Sequence, residues 1–320
     1  MWGNLQGWLI SAVMFLAAVG MLVVIAMPEQ ESSPAGLVPL AYKPIALPVS
    51  ADTVRPTGTN GCDAGDAYRE AIELYLQNPS VYADAARVQV LRLPAVTKIK
   101  EAADCAGMRL FEKDPRKFIN YDSKKAWIDA LMALGQATND VGLQFRDSDP
   151  KTAKEYYEAG FVLGRNLFQE RATWDELNKG LSIMTMSSGA LTKLSDMAGD
   201  SARVDVLQKF DDQVQAYHSD IQEKVAAPLG NPVESYSSKY AGDIFAVAKS
   251  PAVERCWRVT AILHMGHYRW NVADDRKGDQ KWAPKELKLL ENSSDPAIHI
   301  AAEVATNLTL DEQHMTGSGQ

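Results

Sequence analysis

Eighteen of the twenty residues from Trp8 to Met27, WLISAVMFLAAVGMLVVIAM, are apolar, and no charged side chain precedes Glu29. A helix of that length spans ~30 Å, the thickness of a bilayer's hydrocarbon core. A helix buried in a soluble core normally keeps a polar stripe, and this run has none. A cleaved export signal has a basic leader, a shorter apolar core and small residues at the cut. Here the leader MWGNLQG has no Lys or Arg, and MPEQESS follows the run without an A-x-A pattern. Ser33-Pro34-Ala35 is the one distant cut site a signal could use. The expectation is a retained single-pass anchor, residues 8–27, with Trp8, Leu9, Phe15, Leu22 and Met27 in contact with lipid. Residues 1–7 then form a short tail on the other side.

Orientation follows from charge. Cytoplasmic flanks carry excess Lys and Arg, yet the first basic residue is Lys43, whereas Glu29 and Glu31 follow the anchor closely. This favours an inside N-terminus and an extracytoplasmic, periplasmic C-terminal part. Six prolines between 28 and 60 then block helix and favour extended backbone, which makes that segment a linker. Its apolar residues, Leu37, Val38, Leu40, Ile45 and Leu47 among them, leave two readings open: a solvated spacer, or a strip lying along a partner or along the protein itself.

From Cys62 onward the pattern is helical. Trp127, Leu131, Leu134, Thr138, Val141 and Phe145 step by 4, 3, 4, 3 and 4, and Leu207, Phe210, Val214, Tyr217 and Ile221 by 3, 4, 3 and 4. Such spacing places one apolar face on each helix. It predicts helices over 66–78, 80–92, 95–112, 126–145, 151–169, 174–197, 203–225, 251–268, 284–291 and 296–308. Asp114-Pro115, Asp149-Pro150, Ser250-Pro251 and Asp295-Pro296 each offer a capping acceptor followed by proline at the first helical position. No Val/Ile/Thr-rich alternation argues for strands, so the fold class is all-α. The loop-like APLGNPVESYSSKYAGD, 227–243, divides a helical-repeat domain at 61–228 from a smaller lobe at 229–310, with a flexible tail at 311–320.

Parts of this pattern resemble known helical repeats. AYREAIELYLQNP, with Ala71, Tyr75 and Pro79, is similar to the second helix of a tetratricopeptide unit. AKEYYEAGFVLGRNL has the same small–aromatic–small rhythm, and Leu134-Gly135 and Leu163-Gly164 look like the Leu-Gly pair of its first helix. VERCWRVTAILHMGHYRW followed by SSDPAIHIAAEVATNL resembles a pair of HEAT-type helices. The resemblance implies stacked antiparallel helical hairpins, an α-solenoid, and brings no active site with it.

Candidate chemistry is sparse. His264 and His267, three apart in LHMGHYRW, share a helix face and are the weak metal candidates; Gly266 between them suggests that the helix is ending there. Met184 and Met186 are read as core, with an apolar-ligand wall as the sharper alternative. Cys62, Cys105 and Cys256 have no metal or redox spacing. Outside the cytoplasm Cys62 and Cys105 would form a disulfide and leave Cys256 over; otherwise all three are small buried thiols. NVADDRKGDQKW lacks the register of a calcium loop. It reads as an exposed contact surface with Trp270, Asp274, Asp275 and Trp282.

No G-x-S-x-G, P-loop or dinucleotide motif occurs, so no catalytic residue and no cofactor is assigned. A net charge of −8 argues against a nucleic-acid partner. The functional expectation is a membrane-anchored scaffold or accessory subunit. Its partners are the bilayer, through 8–27, and proteins, such as the subunits of a larger membrane complex. The alternative is an extracytoplasmic enzyme whose site is assembled from scattered residues. A ligand or metal carrier built around His264 and His267 ranks third.

Overall fold

The computed structural model describes residues 51–110, 121–221, 247–251, 253–271 and 287–317. The chain divides into two units, Met1–Pro39 and Leu40–Gln320, and every described residue belongs to the second. The expected anchor at 8–27 and most of the linker therefore lie outside the described residues. Among the described residues no helix is long and apolar enough to cross a membrane.

The centre of the fold is four long helices in sequence order: α5 (Tyr121–Phe145), α6 (Pro150–Glu170), α7 (Trp174–Met197) and α8 (Ser201–Ile221). Their starts are locally encoded. The Asp149 carboxylate accepts the Thr152 amide at 3.2 Å, with Pro150 at the first helical position. Thr173 and Glu176 form a reciprocal capping box at the start of α7. That helix stops at Gly199, whose φ of 71° is the left-handed cap geometry glycine adopts freely. Loops of three or four residues turn each helix back on the last. Phe145 accordingly stacks on Tyr156 with ring centres 6.0 Å apart, and the Nε2 atom of His218 lies 3.0 Å from the Asn178 side-chain oxygen. Alternate helices run parallel, as Phe161 against Phe210 and, seven residues further along both, Phe168 against Tyr217 show for α6 and α8.

Close approach of α6 and α7 depends on missing side chains. A Cβ on Gly164 would lie 2.7 Å from the Gly180 carbonyl oxygen, and one on Gly135 would lie 2.9 Å from Ile183. The two Leu-Gly pairs of the sequence thus mark where α5 and α6 press against α7, with Leu134 and Leu163 fully buried beside them.

Helix α6 is enclosed on all sides from Ala159 to Phe168. A helix so placed should be apolar all round, and two residues break that rule. Asn166 donates to the Tyr68 hydroxyl at 3.2 Å. Arg165, 1% exposed, donates through Nη1 to the Arg55 carbonyl at 2.6 Å. The Arg203 guanidinium takes the carbonyls of Thr53 and Val54. Two arginines therefore satisfy the carbonyls that end the short helix α1 (Ala51–Val54), and its Ala51 and Val54 are buried. The linker expected over 28–60 needs correcting here, because residues 51–60 belong to the folded unit.

The next segment departs most from expectation. After α2 (Ala64–Gln77), the helix predicted at 80–92 is only α3 (Pro79–Tyr82), followed by turns and a 3-10 turn at Val90–Arg92. The Gln144 side chain donates to the carbonyls of Ala85 and Val88, and the Tyr82 hydroxyl accepts the Ala95 amide. Tertiary partners thus replace the hydrogen bonds a helix would supply. Helix α4 (Pro94–Ala102) stops short of the predicted 112, because Cys105–Gly107 is strand β2, paired in parallel with β1 (Asn60–Asp63). A disulfide joins Cys62 to Cys105 across this ladder. The Asp63 carboxylate caps α2 through the Gly65 amide and also accepts the Arg109 amide, both at 2.9 Å.

The C-terminal helices α9 (Arg255–Asn271) and α10 (Pro296–Gly317) pack on each other. Asp295 caps α10 through the amides of Ala297 and Ile298. Ser250-Pro251 does not start a helix: it forms a turn in which the Ser250 carbonyl accepts the Val253 amide, and α9 starts at Arg255. Gly266 does not end α9, because its missing Cβ admits the Ala305 backbone at 2.9 Å. Residues 311–317, expected as a tail, continue α10. An ion pair between Arg171 and Glu254, both largely buried, fastens this pair to the array. The expected boundary at 227–243 and the cap at Asp114-Pro115 lie outside the described residues.

Candidate ligand groove between the parallel helices

Helices α5 and α7 run parallel over α6 and leave a pocket of ≈ 310 Å³ between them. Residues 139, 140 and 143 line it from α5, Arg146 from the turn just past its end, and residues 185, 186, 189, 190 and 193 from α7. These are one face of each helix, spaced by three, four and one. Tyr157 of α6 also lines the pocket. A Cβ on Gly142 would collide with the Tyr157 ring, so that ring packs against α5 where a larger residue would exclude it. On the other wall a Cβ on Gly189 would meet nothing within 4 Å. Gly189 and Ala190 leave the volume unfilled.

The walls are mainly apolar: Leu143, Met186, Ala190 and the Tyr157 ring. Asn139, 6% exposed, donates to the Gly135 carbonyl of its own helix at 2.9 Å and ties α5 to α7 by donating to the Ser187 hydroxyl at 3.0 Å. Polar groups stand at the two ends. Asp140 accepts the Gln136 side-chain amide at 3.1 Å. Burial pushes its carboxyl above the usual carboxylate range; the Gln136 bond opposes this, and nearby Asp84 adds to it. At the far end Arg146 is paired with Asp147 at 3.0 Å, and Lys193 is exposed. Among the described residues Asp140 has no cationic partner and Lys193 no anionic one.

Sequence reasoning found part of this. Met184 is fully buried core, as its spacing implied, whereas Met186 lines the pocket. Asp140 and Lys193 were missed. Their one visible signal is a polar Asn-Asp step facing the small Gly189-Ala190 pair across α6, and that pairing exists only after the helices are stacked. Cys62 and Cys105 are bonded, and Cys256 is a free, buried thiol whose pKa is raised mainly by that burial. His264, His267 and Trp270 fall on α9, but their side chains lie outside the described residues, as do Asp274, Asp275, Trp282 and the anchor residues Trp8, Leu9, Phe15, Leu22 and Met27. Among the described residues there is no group of three or more His, Cys, Asp or Glu that could hold a metal ion.

Comparison with protein-family models, curated proteins and solved structures finds no match to this chain.

Proposed function

We propose that this protein is a single-pass, membrane-anchored helical scaffold or accessory subunit, of solenoid type, that holds a protein partner in the groove between α5 and α7. The observation that carries the reading is that groove: a mainly apolar slot with charged groups along it, open between two helices that both pack on a third. Stacked helices offer extended surfaces of this kind to partners. The uncharged run at 8–27 supports attachment to a bilayer. The Cys62–Cys105 disulfide supports an extracytoplasmic location for the folded part, since such bonds persist in oxidising compartments. Anchoring raises local concentration near membrane partners without demanding high intrinsic affinity.

Crosslinking in native membranes, followed by affinity purification, tests the reading. The wild-type chain should give discrete partner bands that Gly189→Trp removes while its thermal unfolding midpoint is unchanged. Bands that persist in the folded variant overturn the assignment of the groove. Deleting residues 1–27 should release the protein from membranes, and external protease should digest the folded part of the intact chain.

A further inference from the structure

The two ends of the groove carry opposite, unpaired charges at a definable separation. The Gly135–Ile183 approach and the Asn139–Ser187 hydrogen bond set α5 and α7 in register. By the same offset Lys193 lies level with Phe145. That is five residues beyond Asp140, or about 7.5 Å along the axis at 1.5 Å per residue. Between the charges the walls are Leu143, Gly189, Ala190 and the Tyr157 ring, and by the same register Met186 lies just before Asp140. We propose that the groove binds a short apolar peptide with free termini, its α-ammonium group on the Asp140 carboxylate and its α-carboxylate on Lys193. This rests on the reading of the groove as a binding site and specifies its smallest occupant.

Length, polarity and chemistry agree. Extended chain advances ~3.3–3.6 Å per residue, so two or three residues cover the axial offset between the charges. A pocket of ≈ 310 Å³ is of the size that takes small ligands, apolar-walled with a few placed polar groups. Asp140 is the group most in need of the ammonium ion, because its carboxylate is partly buried, lies near Asp84 and is met only by a neutral amide. Arg146 is already engaged by Asp147, which leaves Lys193 as the cation for the carboxylate. An apolar side chain on the peptide fills the space that Gly189 leaves open. An amino acid alone is too short to reach both charges.

The test is binding of trileucine to the full chain in lipid nanodiscs, measured by ligand-observed NMR, with empty nanodiscs subtracted. N-acetyl-trileucine and trileucine amide each remove one terminal charge, and each should bind at least about tenfold more weakly than the free tripeptide. Asp140→Asn should abolish the preference for a free N-terminus and keep the preference for a free C-terminus. Lys193→Met should do the converse. Both variants should keep the wild-type thermal midpoint to within a few degrees, and should one fail to fold, the other carries the test. Equal binding of all three peptides, no binding at millimolar concentration, or an equal loss toward all peptides in either variant overturns the proposal. If the peptides fail while Gly189→Trp still removes the crosslinked bands, the scaffold reading survives without this ligand. If the bands also persist, both are wrong.

Discussion

Single residues in this fold are constrained by what surrounds them more than by their own type. Gly164 and Gly189 both sit inside long helices, where glycine is intrinsically worse than alanine by roughly 0.5–1 kcal/mol. Gly189→Ala should therefore stabilise the protein by about that amount, because its Cβ meets open space. Gly164→Ala should cost about 1–3 kcal/mol or more, because its Cβ would press on the backbone of α7. Chemical denaturation of the two variants should give shifts of opposite sign. Asp140 makes a pH-dependent prediction. Its folded-state pKa is raised by burial, so the protonated form favours folding, and that advantage is lost as pH rises through the raised value. Asp140→Asn should accordingly raise the unfolding midpoint at neutral pH, and the gain should vanish below the usual carboxylate range. A midpoint equally displaced at both pH values would remove titration as the cause.

Elements were legible where local signals and packing agree. Helices α5 and α8 follow from their 3-4 spacing, α6, α7 and α10 stand where helices were expected, and Asp149, Asp295 and their prolines mark starts that the structure keeps. The stretch from 80 to 112 was not legible. Its helix-like spacing is real, but Gln144, sixty or so residues away, takes the carbonyls of Ala85 and Val88, and the disulfide draws 105–107 into a strand. Neither partner is visible in a local window. The Leu-Gly pairs were legible as a pattern, while their cause, backbone contact with α7, needed the stacked helices. The bond between Cys62 and Cys105 closes a loop with a sequence separation of 43, which the chain-entropy model values at about 4 kcal/mol. Replacing both cysteines with serine should lower the unfolding free energy by that order. An unchanged denaturation midpoint would show that the α2–α4 segment is held by its core alone.

At the scale of the whole molecule, the described residues form one unit with an uneven internal seam. Among the described residues, the largely buried Arg171–Glu254 ion pair is one of the links that join the α9–α10 pair to the array. Removing one partner of a buried pair leaves the other charge uncompensated. Arg171→Met should therefore accelerate amide exchange in α9 and α10 while α5 to α8 keep wild-type protection. Uniform acceleration across both would mean that the seam is no weaker than the rest. The groove itself was the least legible feature at this scale, since Asp140 and Lys193 are 53 positions apart, 193 less 140, and meet only through helix register.

The way the described chain begins has a mechanical consequence. Tension applied at Ala51 is first borne by the arginine-held carbonyls of Thr53, Val54 and Arg55, which must break together in shear. Beyond them the load reaches Cys62 and crosses the sulfur bridge to Cys105, so the loop carrying α2, α3 and α4 drops out of the force path. A pull at Ala51 therefore arrives at the four-helix array as traction on one short strand, with the loop beside it left slack.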